Sequence, residues 1–333
     1  MLKKNVLGSD LGFVQLKAVG AKLKVDGDNW KIICPSLSKR RSEVIMGDLQ
    51  DSEGYLITTQ ELGSWNVGTK GSFNFEAERL MHEDIVKLYA ILGLYHAETG
   101  SAVIDMLVSG LPVDEYKQES IRTDFASRLK GNFNFGFNSD QCFIQVKQSL
   151  VLPQSAGAFF DFVLDDKGEE RNVELASEDI LVLDIGGKST DGCIMEEGAF
   201  SQDSFTIWQG VYKAQAELRK LIAHSSLRYV ATHKEIDNAL RTGNIKLSGK
   251  QEDVRDYVIK AVDTTFPTIR DELTLHIADF RKFSAIIMSG GGANVYGDHI
   301  EDFTKIPCIS QDDAEWANAN GYRKYGLLKL TEG

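Results

Sequence analysis

The chain contains 333 residues, with 37 Lys and Arg against 49 Asp and Glu, so its formal net charge is −12. Hydrophobic residues make up 42% and charged residues 26% of the chain, a composition typical of globular proteins that excludes a disordered or collagen-like chain. The length predicts two domains, each large enough for its own core. The acidic balance disfavours nonspecific binding to DNA or to anionic membranes.

The sequence also disfavours a membrane or extracellular protein. No stretch reaches the roughly 20 apolar residues that span a bilayer, and Asp10 interrupts the first apolar segment where a signal peptide would continue. The four cysteines are scattered without a C-x-x-C pair, which predicts reduced thiols in a cytoplasmic protein. The six histidines have no metal-ligand spacing, so we expect none of them to bind a metal.

Hydrophobic periodicity in the first half of the chain predicts alternating strands and helices. A buried strand at 6–9 runs into a turn at 10–12. The elements expected after it are strands 14–19 and 30–34, helix 76–98, strand 106–110, helix 114–130, strand 142–152 and helix 154–164. The segment between the third strand and the first helix is rich in glycine and weakly periodic, which predicts a small inserted subdomain at 34–75.

The second half begins with the strongest strand pattern in the chain, at 180–184. The elements expected after it are strand 191–195, helices 212–224, 234–241 and 252–280 (kinked or broken at Pro267), strand 284–288, helix 293–303, strand 308–310 and helix 314–328. The order of a strand, an acidic glycine turn and a second strand occurs twice, at Asp10 and at Asp184, which suggests two related halves.

Three glycine turns follow buried strands, and each suits an anionic ligand. The first contains Asp10, Gly12 and Phe13, with Lys17 seven residues after the aspartate. A glycine at the bend lets backbone amides approach an oxyanion, and the lysine supplies a point charge. Taken alone, an Asp-x-Gly sequence is equally typical of an ordinary hairpin turn.

The second and third turns are more specific than the first. The second, 184–191, begins with Asp184 and continues through Gly186, Gly187, Lys188 and Ser189 at the carboxyl end of its strand, where ligands bind in open α/β sheets. The third joins a strand to a helix through three consecutive glycines and an alanine, namely Gly290, Gly291, Gly292 and Ala293. Neither turn matches the Rossmann or P-loop pattern.

Together, the three turns resemble the nucleotide motifs of the actin, sugar-kinase and chaperone superfamily of ATPases. That superfamily has D-x-G with a lysine seven residues after the aspartate, D-x-G-G-x-[ST]-T-D, and G-G-G-A, in this order along the chain. Within it, the length and the segments 35–41, 107–113 and 152–158 are most similar to the bacterial plasmid-segregation actins of the ParM/StbA type.

The resemblance implies a duplicated α/β fold of the actin and ribonuclease-H type. We expect two domains, each with a mixed five-stranded sheet flanked by helices, and a nucleotide cleft between them. The expected first domain comprises 1–153 and 308–333, and includes the 34–75 subdomain. The expected second domain comprises 154–307, with a helical subdomain at about 208–265.

The resemblance also implies roles for individual residues. Asp10 and Asp184 would face each other across the cleft and hold Mg²⁺ through water, while Lys17 and Lys188 balance phosphate charge. Gln154 would orient the attacking water, although it could instead be an ordinary helix-start residue.

Further positions carry two interpretations. Lys213 and Glu217, four residues apart on one helix, would contact the ribose and base or else form a solvated ion pair. Asp191 is expected to brace its own loop, and Lys39, Arg40 and Arg41 to lie in a solvated loop rather than at a DNA site.

Two positions depart from the family pattern. Position 13 is Phe where the superfamily often has a hydroxyl, so phosphate contact there must come from the backbone. Position 154 is Gln where ParM proteins usually have Glu, and both side chains can orient a water.

The predicted function is that of a filament-forming ATPase, with ATP or GTP and Mg²⁺, that segregates plasmid DNA. Its expected partners are copies of itself and a DNA-bound adaptor of the ParR type, with no direct nucleic-acid or membrane contact. Two alternatives are a weakly hydrolysing or nonhydrolysing scaffold similar to FtsA or PilM and another prokaryotic cytoskeletal actin. A small-molecule kinase is disfavoured because no substrate base is evident near Asp184.

Overall fold

The computed structural model describes residues 4–21, 29–40, 54–68, 81–310 and 313–332. Its strands are β1 (Val6–Leu11), β2 (Gln15–Gly20), β3 (Trp30–Pro35), β4 (Ser38–Arg40), β5 (Tyr55–Thr59), β6 (Gly63–Val67), β7 (Val103–Leu111), β8 (Gly131–Phe137), β9 (Asp140–Pro153), β10 (Ile180–Ile185), β11 (Thr190–Glu196), β12 (Ala199–Phe200), β13 (Phe205–Ile207), β14 (Asn244–Leu247), β15 (Lys250–Asp253), β16 (Ala285–Ser289) and β17 (Cys308–Ile309).

The helices alternate with these strands, as an α/β protein requires. They are α1 (Met81–Thr99), α2 (Val113–Tyr116), α3 (Glu119–Arg128), α4 (Ala156–Val163), α5 (Val173–Ala176), α6 (Tyr212–His224), α7 (His233–Thr242), α8 (Arg255–His276), α9 (Ala293–Thr304) and α10 (Ala317–Glu332). Within the described ranges, no helix has both the length and the apolar character needed to cross a bilayer.

The chain divides into two compact units. The first unit comprises Met1–Val173 together with Trp316–Gly333, and the second comprises Glu174–Glu315. The boundaries differ from those expected from the sequence. Helix α4 belongs to the first unit because it packs against α10, and β17 belongs to the second because it pairs with β16.

The first unit is built on one mixed sheet of nine strands in the order β3-β2-β1-β7-β9-β8-β5-β6-β4. The first five of these strands form the mixed sheet that the sequence predicts, with β1 antiparallel to β2 and parallel to β7. The described strands of the predicted 34–75 inserted subdomain extend the same sheet, because β5 pairs with β8 and thereby joins β4, β5 and β6 to it. Residues 41–53 and 69–80, which also fall in that prediction, lie outside the described residues.

The two faces of the first sheet have separate cores. One face packs against α1 and α3 through a large apolar cluster that includes Leu88, Ile91 and Phe125. The other face packs against α10 through Val6, Val108 and Tyr322, among others. Both faces of the central parallel strands are therefore buried, which is typical of such strands.

The second unit has a smaller mixed sheet in the order β12-β11-β10-β16-β17, with β13 paired to β11, and a separate β14–β15 hairpin. The segment predicted as a helical subdomain at about 208–265 thus includes this hairpin as well as α6 and α7. Helix α8 continues through Pro267 instead of breaking there. The helices α6, α8 and α9 contribute to one apolar cluster with Leu181, Leu183 and Ile185 of β10.

The two units repeat one local plan, as the sequence suggests. In each, a strand turns back on itself as an antiparallel hairpin and also pairs with a later parallel strand. The register is the same in both hairpins: Asp10 pairs with Lys17, and Asp184 pairs with Asp191, seven residues on in each case. The fold class is that of a two-unit α/β protein, but the strand number predicted for the first sheet is too small.

Candidate functional site

The first glycine turn is the bend of a hairpin in which an acidic residue pairs with a basic one. Asp10 lies within β1, not in the turn as predicted, and its direct partner across the hairpin is Lys17. Residues directly opposite on antiparallel strands project from the same face, with Cβ atoms about 5 Å apart. The exposed fractions of Asp10 and Lys17 are 6% and 8%. The seven-residue offset is therefore the spacing that places an acidic and a basic residue, both buried, opposite each other on one face of the hairpin.

The bend of this hairpin leaves little room. A Cβ added at Gly12 would lie 2.7 Å from the carbonyl oxygen of Gln15, so a side chain there would force the turn to open. Phe13 follows in the bend and is half-buried. At this position only the backbone can bond a phosphate, because an aromatic ring carries no hydroxyl.

Gln154 reaches the same carboxylate from a different part of the chain. It follows β9 directly, and its side-chain Nε2 donates a hydrogen bond to Oδ1 of Asp10 at 3.3 Å. Its backbone is held at both ends: its N–H donates to the carbonyl of Leu111 at 2.7 Å, and its own carbonyl accepts from the Tyr322 hydroxyl at 2.6 Å. The first unit thus brings together three predicted site residues, Asp10, Lys17 and Gln154.

The position of Gln154 depends on a close helix pair, α4 and α10. A Cβ at Gly321 would lie 1.7 Å from the carbonyl oxygen of Gly157, so the two backbones touch. The buried ion pair of Lys324 with Asp161, at 2.7 Å, links the same helices. Burial raises the pKa of Asp161, while the neighbouring ammonium of Lys324 opposes that rise.

The second glycine turn is fixed by its own strands. Asp184 lies in β10, 5% exposed, directly opposite Asp191. Asp191 in turn accepts a hydrogen bond from the Thr206 hydroxyl at 2.5 Å. This contact ties Asp191 to β13, which fits the role of loop brace inferred from the sequence.

The carbonyls of the second turn point at a helix N-terminus. Gly186 and Gly187 accept hydrogen bonds from the backbone amides of Val211 and Tyr212, both at 3.0 Å. A Cβ at Gly210 would lie 2.5 Å from the Gly186 carbonyl oxygen, so this contact also requires a glycine before α6. Lys188 and Ser189 complete the turn and are half-buried.

The third turn lies against the second. Gly290 has a φ of +79°, and a Cβ there would lie 2.4 Å from Oδ1 of Asp184. Two residues later, the N–H of Gly292 donates to the carbonyl of Ile185 at 2.9 Å. Gly291 and Ala293 complete the turn, and α9 begins at Ala293. The second unit therefore brings the predicted Asp184 and Gly290 motifs into direct contact.

The remaining predicted residues, Lys213 and Glu217, share a cavity. They lie on α6 and line a cavity of about 420 Å³ that is also lined by α8. Glu217 pairs with Lys220 at 3.4 Å. Beside the cavity, Thr265 shares a hydrogen bond with the hydroxyl of Tyr296 on α9 at 2.9 Å, and burial raises the pKa of Tyr296.

Each unit offers one buried carboxylate that suits a magnesium ion shared with phosphate and water, Asp10 in the first unit and Asp184 in the second. Mg²⁺ prefers oxygen ligands and takes few of them from the protein. No cluster of three or more His, Cys, Asp or Glu suited to a metal occurs among the described residues. Ser289, beside Asp184 on the neighbouring strand, is fully buried, and its hydroxyl has no hydrogen-bond partner in the described chain. Such a group is commonly satisfied by a bound water or ligand.

Several residues that shape the site were missed from the sequence. Tyr322 and Gly110 are two of them: a Cβ at Gly110 would overlap the Tyr322 hydroxyl and lie 2.9 Å from the Cα of Gln154. These contacts join residues 44 to 212 positions apart in the chain, so no local pattern could have indicated them. Gly210 was detectable in principle, as a lone glycine directly before a predicted helix.

Comparison with known families gives two adjacent matches. The model described as the N-terminal domain of actin-like proteins matches residues 8–157. The model described as the C-terminal domain of the archaeal MreB-like actin homologue matches residues 182–302. No curated protein sequence matches the chain significantly.

Solved structures share the fold over nearly the whole chain. The archaeal actin homologue Ta0583, in a crystal structure with ADP, is 21% identical, with a TM-score of 0.72 over 97% of this chain and 99% of that one. The subunit of a 15-stranded ParM filament from Clostridium botulinum is 23% identical, with a TM-score of 0.68 over 98% and 99%. The actin-like protein Alp7A is 16% identical, with a TM-score of 0.77 over 98% and 97%.

At these identities the structures establish the fold alone, while the family models cover most of both units. Two actin-family models match this chain in the expected order, and its fold is shared with archaeal actin and ParM. The chain therefore belongs to the actin-like protein family.

Proposed function

We propose that this chain is an actin-like ATPase that assembles into filaments when it binds nucleotide and that segregates plasmid DNA through an adaptor protein. The nucleotide would be ATP or alternatively GTP. The structure with ADP of the archaeal actin homologue Ta0583 supports nucleotide binding, and the filaments of ParM and Alp12 support self-assembly.

The observation that carries the proposal is the cluster of Asp10, Lys17 and Gln154. It combines a carboxylate, an ammonium and an amide that can hold a water, each buried or half-buried and fixed by strand register or backbone bonds. Phosphoryl transfer needs little more from a protein than positioning and charge. In an ordinary hairpin turn there would be no reason for a glutamine from a distant part of the chain to have both its backbone N–H and its carbonyl fixed by hydrogen bonds.

Each residue has one task in this proposal. Asp10 and Asp184 would hold Mg²⁺ through water, and the ion would neutralise charge on the phosphate oxygens. Lys17 and Lys188 add positive charge beside the phosphates, and Gln154 orients the attacking water. The amides of Gly12, Phe13, Gly187 and Ser189 would bond phosphate oxygens, while Gly186, whose N–H donates to the Ser189 carbonyl at 2.9 Å, would let the backbone approach the ligand. Lys213 and Glu217 would contact the ribose and base at their cavity, with Gly290–Ala293 beside them.

The cargo is inferred from similarity and charge. The proposed partners are further copies of the chain and a DNA-bound adaptor of the ParR type. A net charge of −12 makes direct contact with DNA unfavourable, which favours the adaptor. A scaffold similar to FtsA or PilM, or another cytoskeletal actin, is the alternative.

The first experiment asks whether nucleotide controls assembly. The purified chain is followed by light scattering and electron microscopy with no nucleotide, ATP or GTP, each with Mg²⁺. We expect scattering to rise with nucleotide and later to fall as phosphate is released. A chain that stays monomeric at high micromolar concentration with every nucleotide would refute the filament proposal and favour the scaffold.

A second experiment separates assembly from hydrolysis. Gln154→Ala removes the group proposed to orient water, and we expect phosphate release to fall by about tenfold to a thousandfold. Nucleotide binding should change little, so filaments should form and then persist. Gln154→Glu, which can also orient water, is the matched control and should retain measurable turnover. An alanine variant that hydrolyses and disassembles at the parental rate would show that Gln154 has no catalytic role.

A further inference from the structure

Among the described residues, none covers one face of the first sheet beyond the part that packs against α10. Strands β5, β8, β9 and β7 are neighbours in the sheet, and their inward residues, such as Phe133, Phe135 and Ile144, enter the core. The alternate residues of β8 and β9 face away from that core and are exposed. Here we define this surface as the amide face, formed by Asn132, Asn134, Gln141, Phe143, Gln145 and Val103.

The amide face combines exposed apolar groups with side-chain amides. Phe143 is 62% exposed and Val103 is 42% exposed. Across the strands, Phe143 lies opposite Asn134, while Gln145 lies opposite both Asn132 and Val103. A phenyl ring at this exposure, in the middle of a sheet face, has an unfavourable contact with water.

Charge is nearly absent from this surface, although the chain as a whole is strongly acidic. Strands β5 and β8 contain no charged residue. On β9 and β7 the charged residues are Asp140, at the hairpin end, and the ion pair of Lys147 with Asp105 at 2.7 Å. Two copies of a chain with a net charge of −12 repel each other over most of their surfaces, and a face of this kind is where they can approach.

A side-chain amide can form hydrogen bonds with another side-chain amide. Each Asn or Gln offers both donors and an acceptor, so a surface rich in amides can bond to a second copy of itself without a partner of opposite charge. A nucleic acid or a basic protein would find almost no opposite charge on this face. The chemistry therefore selects another copy of this chain.

We propose that the amide face is the lateral contact between neighbouring strands of the filament. This inference rests on the proposed assembly of the chain. Four strands about 4.8 Å apart, with about four residues each, cover roughly 260 Å², well below the ~800 Å² per partner of a stable pair. A contact of this size holds when it repeats along a filament, because many weak contacts then act together.

The test is Phe143→Lys, which places a positive charge and removes the exposed ring at the centre of the face. The full chain is assembled with ATP and Mg²⁺, and the strands per filament and the degree of bundling are counted by electron microscopy. We expect single strands or unbundled filaments, with a several-fold higher critical concentration. Phosphate release per assembled subunit should stay at the parental level. Leu275→Lys, at a residue 79% exposed in the second unit, is the matched control and should assemble like the parent.

The outcomes separate this inference from the proposed function. If the parental chain forms no filaments with any nucleotide, the proposed function fails. If it forms filaments and Phe143→Lys leaves the strand number, bundling and critical concentration unchanged, the amide face is not the contact. Thermal melting of Phe143→Lys close to that of the parent shows that an altered assembly does not arise from unfolding.

Discussion

Two adjacent glycines of the third turn, Gly290 and Gly291, have different surroundings. Gly290 has a φ of +79° and touches the Asp184 carboxylate and the Ile185 carbonyl, whereas no described residue lies within 4 Å of a Cβ at Gly291. The first is therefore required by the backbone of the turn. The second is free to change as far as folding is concerned.

We predict that Gly290→Ala lowers the free energy of unfolding by about 2 kcal/mol or more, because an alanine must adopt a left-handed φ and also displace backbone atoms. Nucleotide affinity should fall with it, since the Asp184 carboxylate must move. Gly291→Ala is the matched control for stability and should change the unfolding free energy by less than about 0.5 kcal/mol. Denaturant titration measures the unfolding free energies of the two variants. Equal values would contradict the close contact at Gly290.

At the residue scale, the sequence indicates candidate site residues but not their arrangement. Asp10, Lys17 and Asp184 are recognisable as candidates because each stands at a fixed offset within a short motif that one hairpin contains. The sequence could not show that Asp10 lies in the strand itself, nor why the offset is seven. Tyr322 and Gly110 were missed because they contact Gln154 through tertiary packing.

Helices α4 and α10 form the closest backbone contact of the first unit's site region. Gly157 and Gly321 face each other with no room for a Cβ on either. Helix α4 begins two residues after Gln154, and α10 carries Tyr322, whose hydroxyl bonds the Gln154 carbonyl. The separation of these two helices therefore sets the position of the proposed catalytic amide.

Gly321→Ala should destabilise the chain by about 3 kcal/mol or more, because its Cβ would overlap the backbone of α4 and force the helices apart. Gly297→Ala provides a contrast in α9. No described atom outside its own helix backbone lies within 4 Å of a Cβ there, so the alanine should stabilise the chain by about 0.5–1 kcal/mol. Thermal melts of both variants give the comparison. A Gly321→Ala variant as stable as the parent would mean that α4 and α10 are farther apart than described, and a destabilised Gly297→Ala variant would mean that α9 is packed more closely there.

At the element scale, long periodic segments were predicted well and short irregular ones poorly. Helix α6 was predicted with its observed bounds because an apolar stripe and clear ends coincide there. Strand β8 was missed although Phe133, Phe135 and Phe137 alternate with small or polar residues, the usual pattern of a half-buried strand. The strands β4, β5 and β6 were assigned to a separate subdomain because their sheet partner, β8, is distant in sequence.

The net charge of the whole molecule opposes its assembly. With a formal charge of −12 per chain, each subunit added to a filament is repelled by those already present, and salt screens this repulsion over about 10 Å at 0.1 M. The critical concentration should therefore fall several-fold between 50 and 300 mM potassium chloride at constant ATP and Mg²⁺. Sedimentation measures it, and nucleotide affinity at both salt concentrations is the control. A critical concentration that rises with salt would indicate that ion pairs between copies dominate assembly.

The first unit is assembled from two separate stretches of the chain, Met1–Val173 and Trp316–Gly333, while the second unit is one continuous stretch between them. On the ribosome, the second unit is complete before α10 has been made. Until α10 has been made, the face of the nine-stranded sheet around Val6, Val108 and Gly110 lacks the helix that packs on it. Because the Tyr322 hydroxyl arrives with α10, Gln154 is fixed only once α10 has been made. A nascent chain therefore acquires its proposed hydrolytic geometry after its nucleotide motifs, so hydrolysis is the last of its proposed activities to be established.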